Sequence, residues 1–471
     1  MTVLSRYDDQ ELRLLQLLSS RYPTITAAHT EMINLYAILA LPKGTDHYVS
    51  DIHGAYEQFD HILRHASGAI RRKINQTFGI EMSQQQKTEL AMLIYYPEKK
   101  LRQQLAELAD PHDWKVAMIA LLVRVARTAA QKYTRSKVRK RLPAQLAYIL
   151  EELVTESQAD HQQKEHYYTS IVEHIVALGE GENFITTLAY VIQSLVVDRL
   201  YVLGDIFDRG PAAERVMDRL MEYHYVAIQW GNHDISWMGA ASGGDALIAN
   251  VIRLSLRYGN IETLTDGYGI SLRRLLNFAE TAYAGDPSSL FVPKDDSSLE
   301  HYSRVSIARM HKAITIMQFK LEAQIIQRHP EYVMNDRMLL DGIDLATGQC
   351  AIDGVAYPLR DTNWPTLGTT DRAALTLEEE EVIADLRYQF QHSARLQKHI
   401  RFLYSYGNMF QVQDGNLRFH GCLPVDEQGE FIGVPIGDEV LAGPTLLARY
   451  EQVAREAFFS HDPQARQAGQ D

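Results

Sequence analysis

The stretch "VVDRLYVLGDIFDRG", residues 196–210, joins an apolar run to a turn that carries three charged side chains. The apolar part predicts a short buried strand over residues 196–203. Asp205, Asp208 and Arg209 then lie in a segment that has a glycine at each end. Glycine with aspartate is common in solvated turns, so a simple turn is one interpretation. A charged site at the end of a strand is the other.

Two further strand-like runs end in turns of the same kind. "DHYVSDIHG" (46–54) predicts a short strand that ends in a polar turn, and "YVAIQW" (225–230) is followed by "GNHD" (231–234). A helix predicted over 212–222 connects the second and third strands. This alternation is typical of an α/β fold with a parallel sheet. Because functional sites of such sheets gather at the carboxyl ends of the strands, we expect the three turns to lie together.

The rest of the chain is predicted to be mostly helical. Helical periodicity covers 9–40, most of 56–195 and 243–335, with shorter strand-like pieces near 350–359 and 416–425. The run "KYTRSKVRKRLP" (132–143) carries six basic residues within ten positions. It is either a polyanion-binding patch or a solvated helix face. We favour the solvated face, since a single basic stretch on an acidic chain is a weak signal for nucleic acid.

Composition limits the class of protein. The chain has 471 residues, a net charge of −13 and 46% hydrophobic residues, which predicts a globular protein of several subdomains without a nucleic-acid partner. Two cysteines, Cys350 and Cys422, give no disulfide framework and are consistent with a cytoplasmic location. The N-terminal residues lack the apolar core of a signal peptide. The run "VAMIALLVRVA" (116–126) is too short to span a membrane, so we expect no membrane partner.

The residue types in the three turns suit divalent metal ions. Asp51 and His53 are two apart, so in an extended segment their side chains leave the same side of the strand. Asp205 and Asn232 follow the other two strands. Carboxylate, imidazole and amide groups together bind manganese, iron or zinc. An aspartate can bridge two ions about 3.5–4 Å apart, as used for displacement at phosphorus, and Asp205 is the natural bridge.

Three other residues of the turns suit the transfer of a phosphoryl group. His233 and Asp208 predict an imidazole oriented by a carboxylate, which can protonate a leaving alkoxide. Arg209 offers a planar donor pair for phosphate oxygens. Each turn alone is more often a capped turn than a ligand set. Their occurrence in order, each after a strand, predicts a two-metal phosphoester hydrolase.

The order "DIHG…GDIFDRG…GNHD" resembles the calcineurin-like metallophosphoesterases. Longer stretches resemble one family within that group, the class 3 fructose-1,6-bisphosphatases of bacteria. The resemblance implies an α/β fold built on a metallophosphoesterase β-sandwich, flanked by helices and carrying large helical insertions. These longer stretches are "YVSDIHGAYEQFDHIL", "VVDRLYVLGDIFDRGP", "WGNHDISWMGAA", "MQFKLEAQIIQRHPEYVMNDRMLLDGID" and "LRFHGCLPVDEQGEF".

The resemblance also implies an activity and a set of site residues. The activity is a manganese-dependent hydrolysis of fructose 1,6-bisphosphate to fructose 6-phosphate and phosphate in gluconeogenesis, with this sugar bisphosphate as the small-molecule partner. Carried over by motif, one metal ion is held by Asp51, His53 and Asp205, and the second by Asp205 and Asn232. His233 is the acid and Asp208 its partner. His420, in "FHG", would be a further metal ligand, although a histidine packed at a strand end is the alternative.

On this resemblance the chain divides into a discontinuous core with insertions. The expected parts are a helical lead-in (1–43), the core (44–66, 195–245 and 400–445), a helical insertion (67–194), a second, mostly helical insertion (246–399) and a helical tail (446–471).

One feature departs from the pattern of the superfamily. That pattern ends with a late glycine–histidine turn, and no such pair follows residue 420 here. We therefore expect a chain that is shortened at its C-terminus. Two alternatives stay open: a non-catalytic remnant that binds metal or a sugar phosphate, and a calcineurin-like phosphatase with another substrate.

Overall fold

A computed structural model gives the structure of the chain and describes residues 8–155, 164–294, 302–368, 370–437 and 439–471. The chain forms two compact units. The first comprises Met1–Asp46 and Arg64–Asp198, and the second comprises His47–Leu63 and Arg199–Asp471. The predicted lead-in, core and insertions each stay a prediction. Residues 1–7, 156–163, 295–301, 369 and 438 of those predicted parts lie outside the described residues.

The first unit is built from helices. The longest, His112–Ala130, buries one face that includes Ile119, Leu122 and Ala126, at the spacing of three and four residues that places side chains on one side of a helix. The helical character predicted for 56–195 is confirmed over the described residues. The helices of the first unit are Asp9–Arg21, Ile25–Leu39, Ala69–Phe78, Gln84–Tyr95, Pro97–Ala106, His112–Ala130, Arg135–Arg139, Ala147–Thr155, Glu165–Ala177 and Gly181–Val196.

The first two helices, here named the N-terminal helix pair, expose apolar side chains. The side chains of Asp8 and Thr24 cap the N-termini of Asp9–Arg21 and Ile25–Leu39 by accepting hydrogen bonds from backbone N–H groups of the first turn. The helices predicted over 9–40 are therefore confirmed. The apolar residues with exposed side chains are Leu14, Leu15, Leu17, Leu18, Ile25, Met32, Ile33, Leu35, Tyr36, Ile38 and Leu39.

The basic run at 132–143 is not a uniformly solvated helix face. Lys132 is buried, and its Nζ donates to Thr45 Oγ1 at 2.8 Å and to the carbonyl oxygen of Val196 at 3.0 Å. Lys137 Nζ and Arg141 Nη2 lie 2.7 and 3.5 Å from Asp198 Oδ1. The predicted solvated face is wrong for the buried Lys132 and for Arg141, whose side chain is 12% exposed. Lys137 remains 43% exposed while it pairs with Asp198.

A four-stranded sheet organises the second unit. Its strands are β1 (Asp46–Val49), β2 (Arg199–Leu203), β3 (Val226–Gln229) and β7 (Gly407–Asn408), in the order β1-β2-β3-β7. β2 pairs with β3 and β3 with β7, both in parallel. The helix Ala213–Met221 connects β2 to β3 and buries Val216, Met217 and Leu220. The mixed α/β class and the strand–helix–strand order are thus confirmed.

Smaller sheets follow later in the chain. β4 (Ile343–Asp344), β5 (Gln349–Ile352) and β6 (Val355–Pro358) form an antiparallel sheet. β8 (Phe410–Gln413) pairs with β9 (Asn416–Phe419), and β10 (Val434–Ile436) pairs with β11 (Glu439–Leu441), both antiparallel. The strands predicted near 350–359 and 416–425 are confirmed, and the β-sandwich stays a prediction.

The helices of the second unit bury a large apolar core. Trp230, Trp237 and Phe207 are almost fully buried in it, next to the turns that follow β2 and β3. Its helices are Tyr56–His65, Ala213–Met221, Asn232–Ser242, Asp245–Tyr258, Arg273–Ala282, Arg304–Arg328, Leu377–His392, Ala394–Tyr406, Pro444–Phe459 and Pro463–Gln470.

Among the described helices, none taken singly combines the length and apolar character needed to cross a membrane. One bent pair, Glu165–Ala177 with Gly181–Val196, passes that test by length and composition only.

Candidate active site

The turns after β1 and β2 run alongside each other. The backbone N–H groups of Asp51, His53 and Gly54 donate to the carbonyl oxygens of Gly204, Asp205 and Ile206 at 3.1, 2.9 and 2.8 Å. The two charged turns are thereby joined by main-chain hydrogen bonds, which fix the position of one relative to the other. The predicted meeting of these turns at one edge of the sheet is what the structure shows.

The backbone of both turns is strained. Asp51, His53, Asp205, Asp208 and Arg209 all have positive φ angles, between 47° and 68°. This conformation is uncommon for residues with a side chain and costs of the order of 1 kcal/mol or more each. Strain of this kind persists where the surrounding structure enforces it, most often at functional sites.

Two glycines allow the third turn to approach the second. A Cβ atom at Gly231 would lie 2.1 Å from Asp205 Oδ1, which no real contact permits. At Gly204, φ is +81° and a Cβ atom would lie 2.6 Å from His420 Nδ1. Only glycine fits at either position, because the space that a side chain would need is filled by Asp205 and His420.

His53 and Asp205 form the centre of the site. His53 Nε2 lies 3.7 Å from Asp205 Oδ2 and 3.8 Å from Asp51 Oδ1. The other ring nitrogen of His53, Nδ1, is 3.0 Å from the carbonyl oxygen of Phe207 and donates its proton there. Nε2 is buried and has no hydrogen-bond partner. An imidazole held through Nδ1, whose Nε2 faces two carboxylates without a hydrogen-bond partner, has the arrangement of a metal-binding histidine.

His420 approaches the same carboxylate from another strand. It follows β9 directly, its Nδ1 donates to the carbonyl oxygen of Leu203 at 2.7 Å, and its Nε2 lies 3.5 Å from Asp205 Oδ2. His420 thus repeats the pattern of His53, with one nitrogen fixed by a carbonyl and the other directed at Asp205. The structure brings it to the site that the sequence predicted for it.

Asp51 and Asn232 stand at the exposed rim. The side chain of Asp51 is 59% exposed, and its contact with the site is the approach to His53 Nε2. Asn232 is exposed and is the first residue of the helix Asn232–Ser242, beside His233. Both residues therefore remain open to solvent at the edge where the partly buried His53 and the buried Asp205 meet.

His233 is held by Asp208, as the sequence predicted. His233 Nδ1 lies 2.7 Å from Asp208 Oδ2, and both side chains are buried. Trp237 Nε1 donates to the other oxygen of Asp208 at 2.8 Å, so the carboxylate is bound on both sides. The hydrogen bond to Asp208 raises the pKa of His233 against the effect of burial. One ligand atom each from His53, Asp205 and His233 lies within 4.8 Å of the others.

Arg209 lies at the surface beside His233. Its side chain is exposed, and its Nη2 is 3.3 Å from His233 Nε2. The guanidinium is thus next to the ring nitrogen of His233 that Asp208 leaves free. A phosphoryl oxygen bound there would be close to both groups.

Asp234 is a structural residue of the site to which the sequence assigned no role. Its buried carboxylate accepts the backbone N–H groups of Asp205, Ile206 and Gly231 at 2.9, 2.8 and 2.9 Å. It therefore ties the turn after β2 to the turn after β3. Burial raises the pKa of Asp234 to about 6, against the lowering effect of these N–H groups. Its position at the third residue of a helix, where an acid accepts the N-cap N–H, is the signal that could have identified it.

Comparisons with known proteins agree with this site. A family model described as "Firmicute fructose-1,6-bisphosphatase" matches residues 13–471. Curated proteins named "Fructose-1,6-bisphosphatase class 3" are similar to the chain: that of Bacteroides fragilis is 49% identical over 455 residues, and that of Clostridium tetani 48% identical over 453. Each alignment covers 96% of this chain and 68% of the relative.

A third relative of the same name, from Listeria innocua, is 47% identical over 451 residues, which is 95% of this chain and 69% of the relative. No solved structure matches the chain. The residues matched by the family model include all three charged turns and the "FHG" turn. The chain belongs to the Firmicute fructose-1,6-bisphosphatase family.

Proposed function

We propose that the chain hydrolyses fructose 1,6-bisphosphate to fructose 6-phosphate and phosphate. The observation that carries this proposal is the pair of buried groups around Asp205. His53 presents a bare Nε2 to its carboxylate on one side, and the His233–Asp208 pair lies on the other. Family membership supports the substrate, because the matched relatives are named for it.

The donor set fits a centre of two divalent metal ions. Asp51, His53 and Asp205 would hold one ion, and Asp205 and Asn232 the second. His420, whose Nε2 faces Asp205, is a further ligand. Imidazole, carboxylate and amide donors accept manganese, iron and zinc, and we propose manganese among them. When bound, such ions polarise the phosphoryl group and activate water for attack at phosphorus.

The residues of the chain supply the remaining chemistry. Arg209 would bind oxygens of the 1-phosphate through its guanidinium. As water adds to phosphorus, the bond between phosphorus and the sugar oxygen breaks, and that oxygen leaves with the bonding pair. His233, protonated at Nε2, would donate its proton to it. Asp208 holds His233 through Nδ1 and stabilises the charged imidazole, while Trp237 fixes Asp208.

Three broader features belong to the same proposal. We infer a calcineurin-like metallophosphoesterase core, since the parallel strands deliver their turns to one edge as that core requires. We also place the enzyme in the cytoplasm, because Cys350 and Cys422 are both free thiols. The partner is a small sugar bisphosphate, and neither nucleic acid nor a membrane is required for the reaction.

Phosphate release from fructose 1,6-bisphosphate, with and without manganese, tests the function. We expect release that depends on manganese and that falls by about 10²–10⁴-fold in kcat for His233→Ala, the range for loss of a general acid. His461→Ala is the matched control, because His461 lies between the last two helices, outside the site. It should leave the rate unchanged.

Manganese binding, measured by calorimetry, separates the alternatives. Binding without phosphate release would favour a non-catalytic protein that holds metal or a sugar phosphate. Faster release from a phosphopeptide than from fructose 1,6-bisphosphate would favour a phosphatase with another substrate. Release that His233→Ala leaves intact would remove His233 from the reaction.

A further inference from the structure

Arg253 is a half-buried cation whose direct partners are neutral. Its Nε donates to Gln318 Oε1 at 2.6 Å, and its Nη2 donates to Asn250 Oδ1 at 2.9 Å. These two amide oxygens hold the guanidinium without neutralising it. Arg253 thus keeps its positive charge and several N–H donors in a fixed orientation, which is how proteins prepare a site for an oxyanion.

A chain of hydrogen bonds connects Arg253 to the helix that carries the site. Asn250 Nδ2 donates to Ser236 Oγ at 3.4 Å, and Ser236 Oγ donates to the carbonyl oxygen of Asn232 at 2.9 Å. With the bond from Arg253 to Asn250, three hydrogen bonds of about 3 Å each separate the guanidinium from Asn232. Arg253 is also close enough to Asp208 to interact with it electrostatically.

Charged groups of both signs surround Arg253, among them Glu322, Asp208 and Arg257. Arg257 is one helical turn further along the helix Asp245–Tyr258 and acts on Arg253 as a second positive charge. His311 lies next to both arginines, on the helix Arg304–Arg328. Glu322 accepts a hydrogen bond from Gln318 Nε2, so that the Gln318 amide is bonded to both Arg253 and Glu322.

We propose that Arg253 binds the phosphate of the substrate that is not hydrolysed, with Asn250 and Gln318 as the residues that orient it. This inference rests on the proposed function and extends it, because it explains how the site selects a bisphosphate. A substrate with one phosphate would reach Arg209 and His233 but leave Arg253 without an anion. A sugar bisphosphate would engage both ends of the site.

A purely structural role for Arg253 gives different consequences. In that case its bonds would only join the helices Asp245–Tyr258 and Arg304–Arg328, and its loss would affect every substrate alike. A binding role affects only ligands that carry the second phosphate. The comparison of two substrates and one product therefore distinguishes the two roles.

The test uses Arg253→Gln, Arg253→Lys and the control Arg274→Gln, whose arginine pairs with Glu381 on the surface. The substrates are fructose 1,6-bisphosphate and para-nitrophenyl phosphate, which has one phosphate. For Arg253→Gln we expect a KM for the bisphosphate about 10- to 100-fold higher, as for loss of a charge-assisted hydrogen bond, with kcat changed little. The KM for para-nitrophenyl phosphate should not change. Arg253→Lys, which keeps the charge, should recover part of the loss.

Binding of fructose 6-phosphate, measured by calorimetry, provides a second readout that needs no turnover. This product retains the phosphate assigned to Arg253, so its Kd should rise by a similar factor in Arg253→Gln and not in Arg274→Gln. An inactive protein that shows this difference would refute the proposed function and keep the present inference. An unchanged Kd, equal losses for both substrates, or no binding of fructose 6-phosphate to the unaltered protein would overturn the inference.

Discussion

The turns of the candidate active site and the N-terminal helix pair depart from the usual distribution of side chains in opposite directions. Asp205, Asp208 and Asp234 are at most 4% exposed, although acids are rarely buried. In the helix pair, Ile25 and Leu39 are 76% and 79% exposed, although such residues are usually buried.

The two regions differ in whether other interactions offset the unusual burial or exposure of their side chains. Every buried carboxylate of the site has partners within the second unit: backbone N–H groups for Asp234, and the His233 and Trp237 side chains for Asp208. For Asp234 these hydrogen bonds offset only part of the cost of leaving water, since burial still raises its pKa to about 6. The exposed apolar side chains of the helix pair bury little area and therefore contribute little to stability. The comparison teaches that the buried carboxylates hold the geometry of the site at some cost in stability, whereas the helix pair contributes less to stability than its composition indicates.

Removing the Asp234 carboxylate should have the largest effect. Asp234→Ala removes the acceptor of four buried N–H groups, and each that is left without a partner costs about 1–3 kcal/mol, so we expect a loss of at least about 3 kcal/mol in the free energy of unfolding. Urea unfolding followed by tryptophan fluorescence measures it, because Trp230 and Trp237 lie in the same core. Phosphate release should be lost as well, since the turns after β2 and β3 are no longer joined.

Asp426→Ala is the matched control for that experiment. Asp426 also accepts two backbone N–H groups, those of Gln428 and Glu430, but in an exposed turn where water can replace it. Its loss should change the free energy of unfolding by about 0.5 kcal/mol or less. Equal effects of the two substitutions would contradict the assigned importance of the buried carboxylate.

Measuring the free energy of unfolding against pH extends the comparison to a second buried histidine, His311. His233 and His311 are equally buried, at 7% exposure, but only His233 has a carboxylate partner. Burial lowers the pKa of His311 to about 4, and the nearby Arg253 and Arg257 act in the same direction. Between pH 6.5 and pH 4 the unfolded chain therefore binds a proton that the folded chain does not. His311 should contribute a loss of about 3 kcal/mol in stability as the pH drops through this window. Asp234, whose pKa is raised to about 6, contributes a gain of opposite sign, so the contribution of His311 is read from the difference between the protein and a His311 variant.

His311→Asn tests this expectation by removing the titrating group. An asparagine amide can still donate to the carbonyl oxygen of Phe291, which His311 Nδ1 contacts at 2.8 Å. The variant should lose stability less steeply between pH 6.5 and pH 4. If the free energy of unfolding changed equally with pH in the variant and in the unaltered protein, His311 would not be kept neutral in the folded state.

Polar substitutions in the N-terminal helix pair should have the smallest effect. Leu17→Gln with Ile33→Gln replaces two exposed side chains, at 69% and 70% exposure, so we expect a change of about 0.5 kcal/mol or less in the free energy of unfolding. Leu122→Ala, in the buried face of His112–Ala130, should cost about 2–5 kcal/mol by comparison. A large loss from the double substitution would mean that the pair is covered in solution.

The sequence predicted the parts of the site that follow from local pattern. Apolar runs followed by charged turns placed β1, β2 and β3, and the turn residues Asp205 and His233 were found for the same reason. The role of Asp234 depends on four N–H groups of two turns, and that of Trp237 on an Asp208 oxygen, neither of which a local pattern contains.

Ion pairs between residues distant in sequence could likewise not be predicted from local patterns. The basic run at 132–143 has the pattern of a solvated helix, yet Lys137 and Arg141 pair with Asp198. The exposure of the N-terminal helix pair could also not be predicted from the sequence. Periodicity shows which side chains share a face but not whether anything covers that face.

The interruption of the second unit by Arg64–Asp198 has a consequence for folding kinetics. Asp51 and His53 can reach Asp205 only after a loop of well over a hundred residues has closed. Equilibrium stability is nearly insensitive to the length of this loop, since each doubling adds only about 0.6 kcal/mol to the entropy of closure. The rate is sensitive, because contacts between distant residues slow the search for the native state. A change in the length of this segment that leaves its buried helical core intact would therefore add little to the entropy of closure. It would instead change the time that a newly made chain needs to fold.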